Sequence, residues 1–251
     1  MDLQKLYSYT RQALNDFHLI QEGDKVAIGI SGGKDSLTLL YAMAGLRKFY
    51  PIPFDIAAVS VDLGFGMDSP VEQLCRKLEV EYTIVRTDIG AIVFQERKEA
   101  HPCSLCAKMR KGALNQKALE LGCSKIAYAH HRDDVEDTLL MSLLLEGRLY
   151  SFAPYTWLNH TGLALIRPLI YVPEKEIRGF QKKYDLPIVT NKCPADGETK
   201  RTRIHETIRK LDREYPGSKQ RLYSAVLHSN IEDWVISRDP SHRNPSGTDG
   251  D

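Results

Sequence analysis

No stretch of this 251-residue chain is apolar for long enough to cross a bilayer, which takes about 20 residues, and the densest run, Leu139–Leu145, is short. The opening Met1-Asp-Leu-Gln-Lys5 has no charged region leading into an apolar one, so no signal peptide and a cytoplasmic address are expected. Net charge is only +1, which gives composition no argument for a polyanionic partner. Internal repeats are absent, as is a second C-x-x-C, so a Cys₄ zinc ribbon cannot be built. The Walker pattern G-x-x-x-x-G-K-[ST] is also missing. Five cysteines, an odd number, read as thiol or metal chemistry rather than as a disulfide framework.

What is present begins with Ser31-Gly-Gly-Lys-Asp-Ser36, directly after the apolar run Val26–Ile30. A buried strand running into a glycine turn, with a helix opening at Asp35 or Ser36, aims backbone N–H groups and a positive helix end at one spot. That geometry suits a phosphate or pyrophosphate. The glycine pair lets backbone approach the anion, Ser31 and Ser36 add hydroxyl donors, and Lys34 adds a point charge. Asp35 stands where a P-loop has its hydroxyl, and a carboxylate there makes sense as a partner of nucleotide-bound Mg²⁺. A plain Gly-Ser turn that merely starts a helix is the bland alternative.

Apolar spacing predicts an N-terminal amphipathic helix over 1–18, then strands near Val26–Ile30, Asp55–Val61, Tyr82–Val85, Lys125–Ala129 and Leu163–Ile166. Helices are predicted after the phosphate loop, at Pro70–Leu78, Cys106–Leu121 and Asp134–Glu146. Alternation of this kind implies an α/β domain over 19–170, a parallel sheet with helices on both faces. Ligands of such sheets lie beyond the carboxyl ends of the strands, where Ser31–Ser36, Asp62 and His130-His-Arg-Asp-Asp134 all fall. Asp62 could contact adenine or ribose or simply turn the chain, His130 and His131 could orient phosphate or substrate, and Asp133 or Asp134 could cap a helix. Residues 171–237 read as a small helical extension and 238–251 as a disordered tail.

Cys103-Ser-Leu-Cys106 alone fits a redox pair, half a zinc site, a cluster ligand pair or chance. A third cysteine, Cys193, lies in a basic segment: Arg167 to Arg213 holds twelve Lys/Arg against seven Asp/Glu. Three thiolates can hold three irons of a [4Fe–4S] cluster and leave one iron open as a Lewis acid. Cys75 and Cys123 read as buried apolar thiols.

The phosphate loop resembles the PP-loop of the N-type ATP pyrophosphatases, which cleave ATP between the α and β phosphates and adenylate a substrate oxygen. From about Leu19 to Leu227 the chain further resembles the tRNA 2-thiocytidine synthetases (the TtcA family). The match runs through Pro102–Cys106, Ala129-His-His-Arg-Asp-Asp134, Ile166-Arg-Pro-Leu169, Cys193 and Glu214-Tyr-Pro-Gly217. It departs from the family after Cys193 and after Val61-Asp62. The resemblance implies a HUP-like fold. It implies ATP bound by Ser31, Gly32, Gly33, Lys34, Asp35, Ser36, Asp62 and His130, with Mg²⁺. Lys34, Asp35 and Asp134 would be catalytic, and Cys103, Cys106 and Cys193 would hold a [4Fe–4S] cluster. Arg110, Lys111, Arg201 and Arg203 would grip tRNA. The implied reaction replaces the C2 oxygen of a cytidine, position 32, with sulfur from a donor such as a cysteine desulfurase, and a homodimer is compatible with it. Rival readings are an amide-forming pyrophosphatase, a cysteine persulfide relay without iron, and a silent nucleotide- or tRNA-binding protein.

Overall fold

A computed structural model of the chain describes residues 1–64, 70–96, 102–189 and 200–239. Of the tail expected over 238–251, Arg238 ends a helix and the residues from 240 onward, like Cys193, lie outside the described ones. Helix α1 (Leu3–Asp16) opens where the Asp2 carboxylate accepts the Lys5 N–H at 2.8 Å. It buries Leu6, Thr10, Ala13 and Leu14, one stripe at helical spacing. Strand β1 (Asp24–Gly29) follows, then α2 (Lys34–Leu46), β2 (Phe54–Asp62), α3 (Pro70–Lys77) and β3 (Glu81–Arg86). A single turn, α4 (Ile89–Ala91), runs on as a π-helical segment Ile92–Glu96, and α5 covers Pro102–Glu120. Then come β4 (Lys125–Ala127), α6 (Arg132–Glu146), β5 (Tyr155–Leu158), β6 (Leu163–Ile166) and α7 (Glu174–Lys183). The last helices are α8 (Lys200–Glu214), α9 (Ser218–His228) and α10 (Glu232–Arg238).

The six strands lie in the order β3-β2-β1-β4-β6-β5. All neighbours run parallel except β5, which pairs antiparallel with β6 from Tyr155↔Ile166 to Leu158↔Leu163. The parallel strands read as nearly unbroken apolar runs because helices cover both faces. Val26, Ile28, Ile56 and Ala58 face a core shared with α1, α2, α7 and α9. Ala27, Ala57, Val59 and Ile126 face a second core with Leu114 and Ala118 of α5. The first core joins Leu14 of the N-terminal helix, Leu40 of α2 and Phe180 and Trp234 near the C-terminal end, so one packed interior runs through all three sequence regions.

Helix α5 is described from Pro102, so Cys103 as well as Cys106 lies on it, where the sequence reading opened the helix at Cys106. Strand β5 was not foreseen. It is a four-residue edge strand with a single buried position, too short and too exposed to carry an apolar signature.

Helix α2 is buried almost all round, with Leu37, Leu39, Leu40, Met43 and Leu46 at zero exposure. Each such side chain contributes roughly 1.5–3 kcal/mol of apolar burial, which fixes the helix start firmly against the sheet. From β1 the chain crosses to β2 on one side, while β4 adds on the other. The strand order therefore reverses between β1 and β4, and their carboxyl ends open a crevice.

Candidate active site at the strand switch point

The loop after β1 forms one wall. Gly32 has φ +81°, and a Cβ there would stand 2.9 Å from the Val189 Cβ. Its carbonyl accepts the Val189 N–H at 3.0 Å. Only glycine satisfies both the left-handed backbone and this approach. Ser36 knits the loop together: its hydroxyl donates to the Gly33 carbonyl at 3.0 Å and accepts the Ser31 N–H at 3.2 Å. The Ser31 hydroxyl lies 3.2 Å from the same oxygen. Gly33 starts α2 with no side-chain cap, so the first N–H groups of a thirteen-residue helix are left for a ligand.

Lys34 and Asp35 sit at this helix start. The Lys34 ammonium is 3.0 Å from Asp35 Oδ2 and 3.1 Å from Glu174 Oε1. Burial works to lower its pKa, but the two carboxylates outweigh burial and leave it raised, so Lys34 is a firm cation. Burial likewise works to raise Glu174, and Arg178 and Lys34 outweigh it and hold that carboxyl low. Asp35 Oδ1 is buried with no hydrogen-bond partner and lies 3.7 Å from His131 Nε2. An orphaned carboxylate oxygen beside an anion cradle is the chemistry Mg²⁺ completes, because that ion takes one or two carboxylates together with phosphate oxygens and waters.

The loop after β4 forms the opposite wall. His131 is the N-cap of α6, and its N–H donates to Asp134 Oδ2 at 2.9 Å. Asp134 Oδ1 in turn meets Arg201 of α8 at 3.3 Å. Asp133 turns away from the crevice, accepting the Glu174 N–H at 2.7 Å and pairing with Lys219. Burial works to raise Asp133, but the Lys219 ammonium and that N–H hold it below its ordinary value. Of the two aspartates, Asp134 faces the site and Asp133 fastens α6 to α7 and α9. His205 of α8 stands between Asp137, 3.2 Å from either oxygen, and Glu174 at 3.8 Å. A chain of contacts thus runs Lys34–Glu174–His205–Asp137 and ties the phosphate loop to α8.

Asp62 ends β2 and accepts the Gly64 N–H at 3.0 Å, a turn contact at the rim of the sheet. Cys106 is buried against Ile89 and Val93, with Val61 and Leu63 alongside, and Cys103 is exposed one turn earlier on α5. The C-x-x-C therefore lies at the end of β2, on the same edge of the sheet as the phosphate loop. Among the described residues no three His, Cys, Asp or Glu side chains group to hold a metal ion. Two thiols one turn apart on a helix, one of them exposed, are nevertheless a suitable part of an iron–sulfur donor set. None of Cys75, Cys103, Cys106 and Cys123 is in a disulfide. Burial pushes the Cys75 thiol up to about 12 and the Cys123 thiol up to about 11, as expected of inert core cysteines. Arg110 and Lys111 are exposed on α5, and Arg203 is exposed on α8. Arg201 reaches inward to Asp134 and Thr138 instead.

Glu174, Asp137 and His205 had drawn no attention in the sequence. Glu174 was findable, since it opens a helix just after the Arg-Pro-Leu string. Asp137 and His205 meet only through the packing of α8 on α6.

A strand switch point with a serine- and glycine-built anion loop, a lysine and an orphaned carboxylate defines a PP-loop nucleotide domain, and the family model described as a PP-loop domain matches residues 4–211. The chain is 35% identical over 228 residues to a tRNA-cytidine(32) 2-sulfurtransferase from Geobacter sulfurreducens, covering 89% of each protein. It is 36% identical over 240 residues to the enzyme of that name from Anaeromyxobacter dehalogenans, covering 94% of this chain and 82% of the relative. Among solved structures it is similar to the U34-tRNA thiolase NcsA from Methanococcus maripaludis with its [4Fe-4S] cluster. That likeness has a TM-score of 0.72 and 25% identity and covers 91% of this chain and 79% of the other. The chain belongs to the tRNA-cytidine(32) 2-sulfurtransferase family, a family of transferases acting in tRNA thiolation. Among the described residues no helix is long and apolar enough to cross a membrane.

Proposed function

We propose that this chain thiolates a tRNA cytidine at C2, at position 32, by adenylating the C2 oxygen and then replacing it with sulfur. The observation that carries the reading is the joint placement of an anion loop and a C-x-x-C on one edge of the sheet, in a chain with these relatives. A ring carbonyl is a poor electrophile for sulfide, and adenylation converts its oxygen into a good leaving group.

In this reading Ser31, Gly32, Gly33 and Ser36 hold the triphosphate through N–H and hydroxyl donors. Lys34 exchanges its carboxylate partners for phosphate oxygens and stabilises the charge on departing pyrophosphate. Asp35, with Asp134 across the crevice, takes Mg²⁺, and Asp62 and His130 border the nucleotide. The C2 oxygen bonds to the α-phosphorus as the bond to the β-phosphate oxygen breaks. Sulfide then adds to C2, the C2–O bond breaks and AMP leaves. A [4Fe–4S] cluster on Cys103, Cys106 and Cys193 would supply a Lewis-acidic iron for that sulfide. Arg110, Lys111 and Arg203 are exposed cations suited to tRNA phosphates, and Arg201 suits phosphate nearer the crevice. The reading takes a cysteine desulfurase as sulfur source, the cytoplasm as compartment and a homodimer as assembly.

The test is mass spectrometry of nucleosides from tRNA incubated with ATP, sulfide and anaerobically reconstituted protein, alongside iron and sulfide content. Thiolated cytidine formed by wild type and lost in Cys193→Ala, together with loss of the iron, supports the reading. Thiolation that survives in Cys193→Ala sinks the three-cysteine cluster. Thiolation without any iron rules out the cluster and leaves sulfide attacking the adenylated C2 directly.

A further inference from the structure

Arg167 is the first residue after β6, and with 6% exposure it is a buried arginine whose charge is supported by Asp233 and by the Tyr150 and Tyr128 phenols. Its Nη1 donates to the Ala153 carbonyl and to Thr156 Oγ1 at 3.1 Å, and its N–H donates to the Pro154 carbonyl at 3.0 Å. The guanidinium carbon lies 4.9 Å from the centre of the Phe152 ring. Its Nε donates to His130 Nδ1 at 3.3 Å. The His130 ring itself rests on Phe152, centroids 4.7 Å apart at 35°, with Tyr128 edge-on at 5.8 Å.

A guanidinium is a donor only and keeps its charge in proteins. The nitrogen it touches must therefore present a lone pair, and the single proton of a neutral imidazole must sit on the other nitrogen. We infer that Arg167 is a positioning residue that fixes His130 as the neutral, Nε2-protonated tautomer, so that His130 serves the crevice as a hydrogen-bond donor and not as a general base. With Nδ1 engaged and Nε2 already protonated, the ring has no site at which to accept a proton.

The surroundings agree with the geometry. Burial, then Arg167, disfavour the imidazolium, and Arg201 of α8 and His131 add to them, while Asp134 of α6 pulls the other way. The balance pushes His130 down to about 3. A histidine bordering a phosphate site would ordinarily become cationic in mild acid, whereas this one keeps a constant N–H donor. The catalytic part of the inference rests on the proposed adenylation. The tautomer does not, so the two can fail separately.

The experiment is nitrogen-15 NMR of histidine-labelled protein, with His130 assigned by its absence in His130→Gln. One deprotonated Nδ1 and one protonated Nε2 signal, unmoved between about pH 5.5 and 8.5, are expected. In Arg167→Lys the single tautomer should be lost and the ring should titrate nearer its ordinary value. Titration of wild-type His130 near about pH 6.5, or a protonated Nδ1, overturns the inference even if the Arg167 variant does not fold. For the donor role, His130→Gln can place an amide N–H near the Nε2 position. It should retain tRNA-dependent pyrophosphate release within about tenfold of wild type, while His130→Asn and His130→Ala fall by about a hundredfold or more. Equal loss in all three overturns the donor role, and no pyrophosphate release by wild type overturns the adenylation reading instead.

Discussion

Gly32→Ala perturbs the phosphate loop in two separable ways. The residue has φ +81°, a conformation that costs an L-residue roughly 1–2 kcal/mol. Its new Cβ would also stand 2.9 Å from the Val189 Cβ and 3.3 Å from Cγ2, inside the ~3.5–4.0 Å at which carbons pack. Val189 must then retreat and weaken the 3.0 Å bond from its N–H to the Gly32 carbonyl, a further ~0.5–1.5 kcal/mol. The total is about 1.5–3.5 kcal/mol, and each kcal/mol is worth roughly 2–4 °C of melting temperature in a chain of this size. Urea unfolding of Gly32→Ala, Val189→Gly and the double variant separates the parts. Val189→Gly removes the clashing side chain but leaves the backbone strain, so the double variant should be about 0.5–1.5 kcal/mol more stable than the sum of the single changes. Additivity within about 0.3–0.5 kcal/mol would refute the steric argument.

Stability should fall with acid through His130. Its folded pKa lies below the ordinary value of about 6.5, so its contribution is complete above that pH and is lost as pH falls toward 3. The full shift is worth about 2 kcal/mol of stability at pH 5. A urea midpoint in His130→Gln that falls as steeply between pH 7 and 5 as that of wild type would count against this. Lys125 and Asp24 form a buried ion pair at 2.7 Å, with side chains 5% and 7% exposed. Lys125→Met should lose about 3–5 kcal/mol by stranding a carboxylate, and Asp24→Asn combined with it should recover part of that loss. Cys106→Ser should lower stability by about 1–3 kcal/mol, burying a hydroxyl among Ile89 and Val93, while Cys103→Ser, being exposed, should leave stability unchanged. Both should abolish thiolation in the nucleoside assay. Asp35→Asn should raise the Mg²⁺ concentration needed for pyrophosphate release about tenfold or more, since it removes the orphaned charged oxygen.

The parts of this protein most legible in its sequence are those where local chemistry and fold coincide. Val26–Ile30 followed by two glycines, a lysine and a carboxylate can hardly do anything except end a strand at an anion site. The parallel sheet followed from unbroken apolar runs alternating with helical ones. Strand β5 escaped because only Leu158 of its four residues is buried, and pairing with β6, not hydrophobic pattern, makes them a strand. Helices α9 and α10 were legible only as part of a helical extension and not one by one, because their apolar stripes are thin, with Tyr223, Val226 and Trp234 as buried anchors among polar neighbours. Within the site, single residues were legible and partnerships were not. Lys34 stood out at once, but Glu174, which holds it, lies 140 positions away. Arg201 read as a surface cation by composition, and its contact with Asp134 depends on how α8 crosses α6. The Arg-Pro-Leu string was visible as a string, whereas the hold of Arg167 on one histidine nitrogen exists only once β6 lies beside β4.

The position of the C-x-x-C has an evolutionary consequence. Ser31–Ser36, His130–Asp134 and Arg167 hang from β1, β4 and β6, the middle of the sheet, where a shift in one strand disturbs its neighbours. Cys103 and Cys106 belong instead to the crossover that carries the chain from β3 back to β4. A crossover can be lengthened, shortened or replaced while the strands it joins keep their register. A lineage could therefore exchange the group that attacks the activated oxygen and inherit the nucleotide half unaltered.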